Sequence, residues 1–243
     1  MIVDAKDMHY RDLNARIRES VAASEGTMVV RHAEGQRYIG AGLGEGVDIE
    51  IAGIPGNDLG AFMNGAEIVV DGNVQDGVGN TMNAGRIVVH GDAGDILGHS
   101  MRGGQILVRG SVGYRTCIHM KAYGERRPTV VIGGVAGDYL GEYMAGGTLV
   151  VLGLDVAETP VVGRYVGTGM HGGAIFIRGS VAEHQLGAEV GVQPVGEEDW
   201  ATVSGLIETF CSAFEISGTS FEAASFIMLT PKSSRPYGTL YAY

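Results

Sequence analysis

The chain has 243 residues, 41 of them glycine, and a formal net charge of −11. An acidic total argues against a nucleic-acid-binding surface, which needs clustered Lys and Arg, and no run of about 18 apolar residues is present to span a membrane. Its two cysteines, Cys117 and Cys211, are too few for a disulfide framework or a cysteine-rich cluster site, and they indicate a reducing, cytoplasmic compartment. The opening Met1-Ile2-Val3-Asp4 has neither the basic nor the apolar region of a signal peptide.

Residues 1–38 form an N-terminal segment ahead of a repeat array. The stretch from Tyr10 to Glu25 predicts a helix, because its apolar residues recur every four positions with charged residues between them, at Leu13, Ile17 and Val21. The β-branched run Thr27-Met28-Val29-Val30 then predicts a strand.

Residues 39–191 contain a repeat whose period is marked by glycine. Successive glycines are spaced by 19, 19, 19, 24, 19 and 26 residues, and they are Gly53, Gly72, Gly91, Gly110, Gly134, Gly153 and Gly179. A methionine precedes each of the last six by nine residues, once five inserted residues are allowed for in one unit. These methionines are Met63, Met82, Met101, Met120, Met144 and Met170. A fixed period below about 30 residues indicates stacked structural units.

The period also predicts how the units stack. A unit of about 19 residues has no room for a crossover helix, which takes a dozen or more residues, so the β-branched run in each unit forms a strand that pairs with its neighbours in parallel, about 4.8 Å away. The expected fold is all-β, a parallel β-helix of about seven turns, with the six methionines in an inward column. Double glycines ahead of several strands predict tight bends.

Two insertions interrupt the array, and a different segment follows it. Residues 121–128 are predicted to bulge from the fifth unit and residues 155–160 to extend the unit that follows Gly153, and insertions in repeat proteins map to loops. Residues 192–243 are predicted to hold a helix through Phe214 with acidic residues in its first turn, a second short helix at Ser220–Phe226 and an extended tail. The terminal helices are expected to cover the open ends of the β-helix.

Two patterns suggest ligand sites, and a structural interpretation is preferred for each. The run Gly40-Ala41-Gly42-Leu43-Gly44-Glu45-Gly46 resembles a dinucleotide fingerprint, but that motif needs a strand before it and a helix after it, whereas β-helix sequence follows here. We interpret it as the first turn of the array. Aspartates recur ahead of the methionines, but they lack the nine-residue spacing of calcium-binding β-helices, which favours turn capping. They are Asp58, Asp76, Asp95 and Asp138.

No catalytic constellation is predicted. His99, His119 and His171 lie beside methionine positions, but they form no close cluster with Asp or Cys of the kind a metal site needs. Neither cysteine has a basic or His neighbour in sequence that would activate its thiolate. The expectation is a chain with no catalytic, cofactor-binding or metal-binding residues of its own, and a free-standing hydrolase is disfavoured because no nucleophile and base are nominated.

The units from Gly137 to Gly153 and from Gly167 to Gly173 resemble the C-terminal GXGXG β-helix domain of glutamate synthase. The sequence segments that flank these units resemble the stand-alone version of that domain more closely than the domain within the large subunit. In the stand-alone version the large subunit is split into separate chains. The similarity covers nearly the whole chain, and its flanking phrases are Asp4–Asn14, Gly35–Gly40, Ile118–Tyr123 and Ser234–Gly238.

This resemblance implies a right-handed β-helix that serves as a non-catalytic scaffold subunit of a glutamate synthase-type oxidoreductase complex. A glutaminase-type amidotransferase subunit and an FMN and iron–sulfur synthase subunit would be its partners and would carry the cofactors. The β-helix also resembles the C subunit of formylmethanofuran dehydrogenase and the related subunit of the formyltransferase/hydrolase complex, and N-methylglutamate synthase is built from the same parts. These alternatives stay open. The candidate interface residues are Arg126 and Arg127 in the insertion, and Arg235, Tyr237 and Tyr241 in the tail.

Overall fold

The computed structural model describes residues 1–23, 26–154, 156 and 160–234, and this part of the chain contains eleven strands and two α-helices. The strands are β1 (Ile2–Asp4), β2 (Gly26–Glu34), β3 (Val47–Ile54), β4 (Asn64–Asp71), β5 (Ala84–Val89), β6 (Gln105–Val108), β7 (Thr129–Ile132), β8 (Ala145–Val151), β9 (Gly172–Arg178), β10 (Val190–Pro194) and β11 (Phe226–Pro231). The helices are α1 (Tyr10–Ala23) and α2 (Glu197–Ala213).

The strands confirm the predicted parallel β-helix. They join in the order β1 to β9, then β11 and β10, and every pair from β1 to β9 is parallel. The solenoid has about six turns rather than about seven, because seven repeated glycines bound only six complete intervals. The fixed register places one residue of each strand in a single inward column: Ile49, Ile68, Ile87, Ile106, Val130, Leu149 and Ile175.

The interior is filled by columns of apolar side chains. All six repeat methionines have no exposed surface, and they belong to one core cluster with the inward strand residues. A third column follows a line of isolated parallel bridges on another side of the solenoid, and it consists of Val74, Ala93, Val112, Ala136 and Val162. Each turn therefore contributes equivalent atoms at equivalent positions, which is how a 19-residue unit closes a dry core.

The outer face of the sheet carries its own apolar column, which α2 covers. Val88, Leu107, Val131, Val150 and Phe176 occupy equivalent outward positions and pack against Val203, Ile207 and Phe210 of α2 in a second core cluster. Trp200 contacts Phe226 of β11, and Phe214 contacts His90 just after β5. The helix therefore runs along the side of the solenoid, so the expectation that it covers an open end was wrong: its apolar stripe matches the lateral column.

The two ends of the solenoid are closed in different ways. At the N-terminal end, Leu13 and Ile17 of α1 are buried in the same cluster as Val3 and Met28, and Asn14 Nδ2 donates to the Arg37 carbonyl at 2.8 Å. At the other end β11 pairs antiparallel with β9, and β10 pairs antiparallel with β11.

Two predicted helices differ in extent from the observed ones. The helix predicted for 10–25 is described as far as Ala23, and residues 24–25 lie outside the described part of the chain. The short helix predicted at Ser220–Phe226 is only a single 3₁₀ turn at Ala223–Ser225, because Phe226 begins the strand that pairs with β9.

Candidate functional site

The most unusual geometry in the molecule lies in the six residues that end at each repeat methionine, a segment we call the corner. The residues five, three and one before the methionine all have positive φ, near the left-handed region. In the corner that ends at Met144 these residues are Tyr139, Gly141 and Tyr143, with φ of 61°, 68° and 53°. A non-glycine residue in this conformation costs about 1–2 kcal/mol, so the corners need compensation.

Hydrogen bonds between turns supply that compensation. The two outer residues of a corner donate to the following turn: the N–H of Tyr139 to the Arg164 carbonyl at 2.7 Å, and that of Tyr143 to the Thr168 carbonyl at 2.8 Å. The central residue donates in the opposite direction, as Gly141 does to the Thr116 carbonyl at 2.8 Å. The positive φ values thus point successive backbone N–H groups alternately at the following and the preceding turn. These N–H groups therefore have hydrogen-bond acceptors in the neighbouring turns.

The side chains of the outer corner positions form two columns on the surface. In one column Tyr139 and Tyr165 are stacked with ring centroids 4.9 Å apart, and in the other His119 and Tyr143 are stacked at 5.2 Å. Tyr165 remains 46% exposed. These columns were not predicted from the sequence. The signal was a fixed offset of one and five residues before each methionine, and it was hidden because residues of very different chemistry occupy those positions.

A buried carboxylate lies between the two columns. The side chain of Glu142 is only 9% exposed, and its Oε2 lies 3.4 Å from Arg115 Nη1 without forming a hydrogen bond. The Arg115 guanidinium also lies over the ring of Tyr139, 5.1 Å from its centroid. This arrangement pairs the charge of Glu142 with that of Arg115 and holds the guanidinium over the Tyr139 ring.

The repeated glycines form a hydrogen-bonded column where each strand ends. The N–H of Gly91 donates to Gly72, that of Gly110 to Gly91, that of Gly134 to Gly110 and that of Gly153 to Gly134, at 2.8–3.2 Å. Glycine is required because a Cβ on Gly91 would lie 2.2 Å from Asn73 Oδ1. That side chain reaches past Gly91 to accept the N–H of Asp92 at 2.8 Å.

The aspartates ahead of the methionines act as caps, as predicted. Asp76 Oδ1 accepts the N–H of Asp95 at 2.9 Å, Asp95 Oδ1 accepts the N–H of Tyr114 at 3.0 Å, and Asp138 Oδ1 accepts the N–H of Arg164 at 2.7 Å. Asp58 differs, since its Oδ1 accepts from the Asn80 side chain at 3.0 Å. Each of these carboxylates is therefore engaged with the next turn of the solenoid.

Burial shifts the pKa values of both cysteines and of one histidine. Cys117 is completely buried and burial raises the pKa of its thiol, while partial burial raises the pKa of Cys211 in α2. Partial burial, followed by the neighbouring His119, lowers the pKa of His99, and the two rings lie 6.2 Å apart. Among the described residues, no group of three or more His, Cys, Asp or Glu side chains is placed to hold a metal ion.

The predicted interface residues lie partly within the described chain. Arg126 and Arg127 are exposed in the insertion, where Tyr123 and Arg126 form a tight antiparallel bridge. Arg127 Nη1 donates to the Gly124 and Arg126 carbonyls at 2.6 and 3.0 Å. Arg235, Tyr237 and Tyr241 lie outside the described residues, as does most of the predicted insertion at 155–160. The glycine segment 40–46 forms turns that lead into β3, in agreement with its interpretation as the start of the array.

Comparison with known proteins places this geometry in context. The family model described as the GXGXG motif matches residues 6–228. An uncharacterised protein of Methanocaldococcus jannaschii, MJ1350, is 46% identical over an alignment of 250 positions, which covers 99% of this chain and 96% of that protein. A chain of the formyltransferase/hydrolase complex of Methylorubrum extorquens, solved with methylofuran, has a similar fold, with a TM-score of 0.62 over 89% of this chain and 88% of that one, at 21% identity. None of the helices in the described ranges has the length and apolarity that crossing a membrane requires.

Proposed function

Because this chain belongs to the GXGXG motif family, we propose that it is a non-catalytic scaffold subunit of a multisubunit enzyme complex. The proposal is supported by the contacts of the side chains that could do chemistry, since each of them is engaged within the fold. The capping aspartates bind the backbone of the next turn, Cys117 is sealed in the core, and Glu142 faces Arg115. Acyl transfer or redox chemistry needs a nucleophile, base or cofactor ligand turned toward a substrate, and these groups are turned toward their own fold.

The assembly we propose is of the glutamate synthase type. In it, a glutaminase-type subunit releases ammonia, a separate subunit with FMN and iron–sulfur clusters uses it, and this chain braces the two in the cytoplasm. The flanking phrases Asp4–Asn14 and Ile118–Tyr123 support this choice, because they resemble the stand-alone glutamate synthase domain beyond the repeat itself. N-methylglutamate synthase, built from the same parts, is a variant of the same proposal.

A second assembly is favoured by a specific observation. The chain of similar fold comes from a formyltransferase/hydrolase complex, so the scaffold would then support formyl-transfer chemistry. The likeness at 21% identity concerns the fold, and this second assignment therefore ranks below the first.

Native purification from the source cells distinguishes the assemblies. We expect this chain to co-purify with a glutaminase-type chain and a flavoprotein, and the eluate to show flavin absorbance. Formyltransferase and amidohydrolase chains in the eluate would select the second assembly. A lone, colourless chain at native concentration would contradict the scaffold proposal itself.

A further inference from the structure

The described chain contains a cluster of basic side chains that have no acidic partner. Arg102 follows Met101, and the N–H of Lys121 donates to the Met101 carbonyl at 2.9 Å, so Lys121 lies one turn away from Arg102. The insertion folds back over the same place, because a Cβ on Gly103 would lie 3.1 Å from the Cβ of Arg126. Together with Arg127, these residues form what we call the basic patch: Arg102, Lys121, Arg126 and Arg127.

The basic patch is electrostatically unsatisfied. Within the described part of the chain none of its four cations forms an ion pair, and Arg102 Nε is buried without a hydrogen-bond acceptor. Arg127 is engaged only with backbone carbonyls of its own loop. Cations held side by side repel one another, and a buried donor without an acceptor is destabilising because it has given up its hydration. In a protein of net charge −11, such a cluster marks a place where an anionic group from outside would be stabilised.

A groove continues from the basic patch. It has a volume of about 770 Å³, a floor of small residues at the start of β8 and β9, one wall formed by α2 and another by Arg127 and Ala122 of the insertion. Its floor includes Gly146, Gly147 and Gly173. Backbone without side chains lets another chain approach closely, so the groove suits an extended peptide segment better than a convex surface.

We propose that the basic patch and this groove bind an extended acidic segment of a partner protein. This inference rests on the proposed scaffold function and names the surface through which one partner is held. A peptide that carries a few carboxylates is favoured over a nucleic acid, because the charge of −11 on the whole chain repels a long polyanion. Glu125 is the single carboxylate within the insertion 121–128, and it lies next to Arg126, where it would report on a bound segment.

The first test uses the purified chain and a fluorescein-labelled peptide of alternating Glu and Ala, with fluorescence anisotropy as the readout. The charge reversal K121E/R126E is compared with R16E/R18E, which changes the net charge equally through two exposed residues of α1. We expect K121E/R126E to weaken binding at least about tenfold and R16E/R18E to leave it within about twofold, with the difference reduced above about 0.15 M salt. Equal losses in the two variants would overturn the proposal, because they would show a response to net charge alone. Thermal unfolding of each variant verifies that it is folded.

The second test uses the assembled complex. A photoreactive benzoyl-phenylalanine replaces Glu125, the complex is purified from irradiated source cells, and the cross-linked peptide is sequenced by mass spectrometry. We expect a peptide rich in Asp and Glu from a co-purifying subunit. A neutral or basic peptide, a second copy of this chain, or no cross-link in an intact complex would overturn the inference and leave the scaffold proposal standing. If no complex is recovered, the scaffold proposal fails, and the anisotropy measurement alone decides whether the patch binds acidic peptides.

Discussion

Cys117 occupies the central corner position that is glycine in the other corners. The residue that faces it from the next turn is a leucine, Leu149, rather than an isoleucine. At Gly60, Gly79 and Gly141, which are central residues of their corners, an added Cβ would lie 2.4–2.6 Å from the δ-methyl of an isoleucine in the next turn. The equivalent residue opposite Cys117 is Leu149, which continues the column of Ile87, Ile106 and Val130. Since Cys117 has a Cβ, an isoleucine at 149 would collide with it, and we predict that Leu149→Ile is destabilising here.

The geometry sets the magnitude. Carbon atoms at optimal separation are about 3.5–4.0 Å apart, so a contact near 2.5 Å has to be relieved by a strained rotamer, at about 0.5–1.5 kcal/mol, and by overpacking, at about 1–3 kcal/mol. We expect Leu149→Ile to cost about 2–4 kcal/mol, whereas Leu-to-Ile exchanges that can repack usually cost less than about 1.5 kcal/mol. Cys117→Gly should be nearly neutral, because relief of the positive φ offsets the lost thiol packing.

The assay is a double-mutant cycle of wild type, C117G, L149I and the double variant, followed by thermal unfolding. A cost of 1 kcal/mol corresponds to about 2–4 °C in Tm for chains of this size. L149I should therefore lower Tm by about 4–16 °C in the wild-type background and by only a few degrees when residue 117 is glycine. Additive shifts would refute the reasoning, because a steric collision between two side chains must appear as coupling.

Three further predictions concern other parts of the fold. Met101→Ala should lower the free energy of unfolding by about 2–5 kcal/mol, because it leaves a cavity in the methionine column. Met101→Leu, which keeps most of the volume, should lower it by less than about 1.5 kcal/mol. Urea unfolding measures both, and equal losses would argue against a packed column. Asp95→Ala should lower the free energy of unfolding by about 1 kcal/mol, because the hydrogen bond from the N–H of Tyr114 is lost. Asp95→Asn keeps the acceptor and should lower it much less. If calcium instead raised Tm and Asp95→Asn abolished that rise, the aspartate would belong to a cation site. Burial raises the pKa of Cys117, so above the ordinary thiol pKa of about 8.5 the unfolded chain loses a proton that the folded chain keeps, and stability falls as pH rises. Cys117→Ala should flatten that fall by up to about 1.4 kcal/mol per pH unit, and an unchanged slope in calorimetry would contradict it.

The period made most of the fold predictable from sequence. Because each unit repeats the same spacing between methionine, strand and glycine, aligning the units also aligns the register, and runs such as Ile87-Val88-Val89 fall in the observed strands. Local patterns sufficed for α1 and for the start of α2, where Glu197, Glu198 and Asp199 occupy the first turn.

Other features depend on contacts that no local pattern reveals. The corner conformation was hidden because residues as different as Arg115, His119 and Tyr143 occupy positions that glycine fills elsewhere, and hydrogen bonds to neighbouring turns hold them there. The apolar stripe of α2 would fit an end or a side of the solenoid equally well. The reversal of direction at β11 follows from its pairing with β9, which is distant in sequence.

The position of α2 links the length of the helix to the length of the solenoid. From Trp200 to Phe214 the helix rises about 21 Å, and the five strand steps from β5 to β11 span about 24 Å, so its two aromatic ends meet the two ends of the apolar column. Beyond β4 the equivalent outward residue is Glu50, which is polar. The length of α2 therefore sets how many outward apolar strand positions can be covered. An extra turn between β5 and β9 would leave an apolar strip exposed to water, whereas an extra turn near β3 would not.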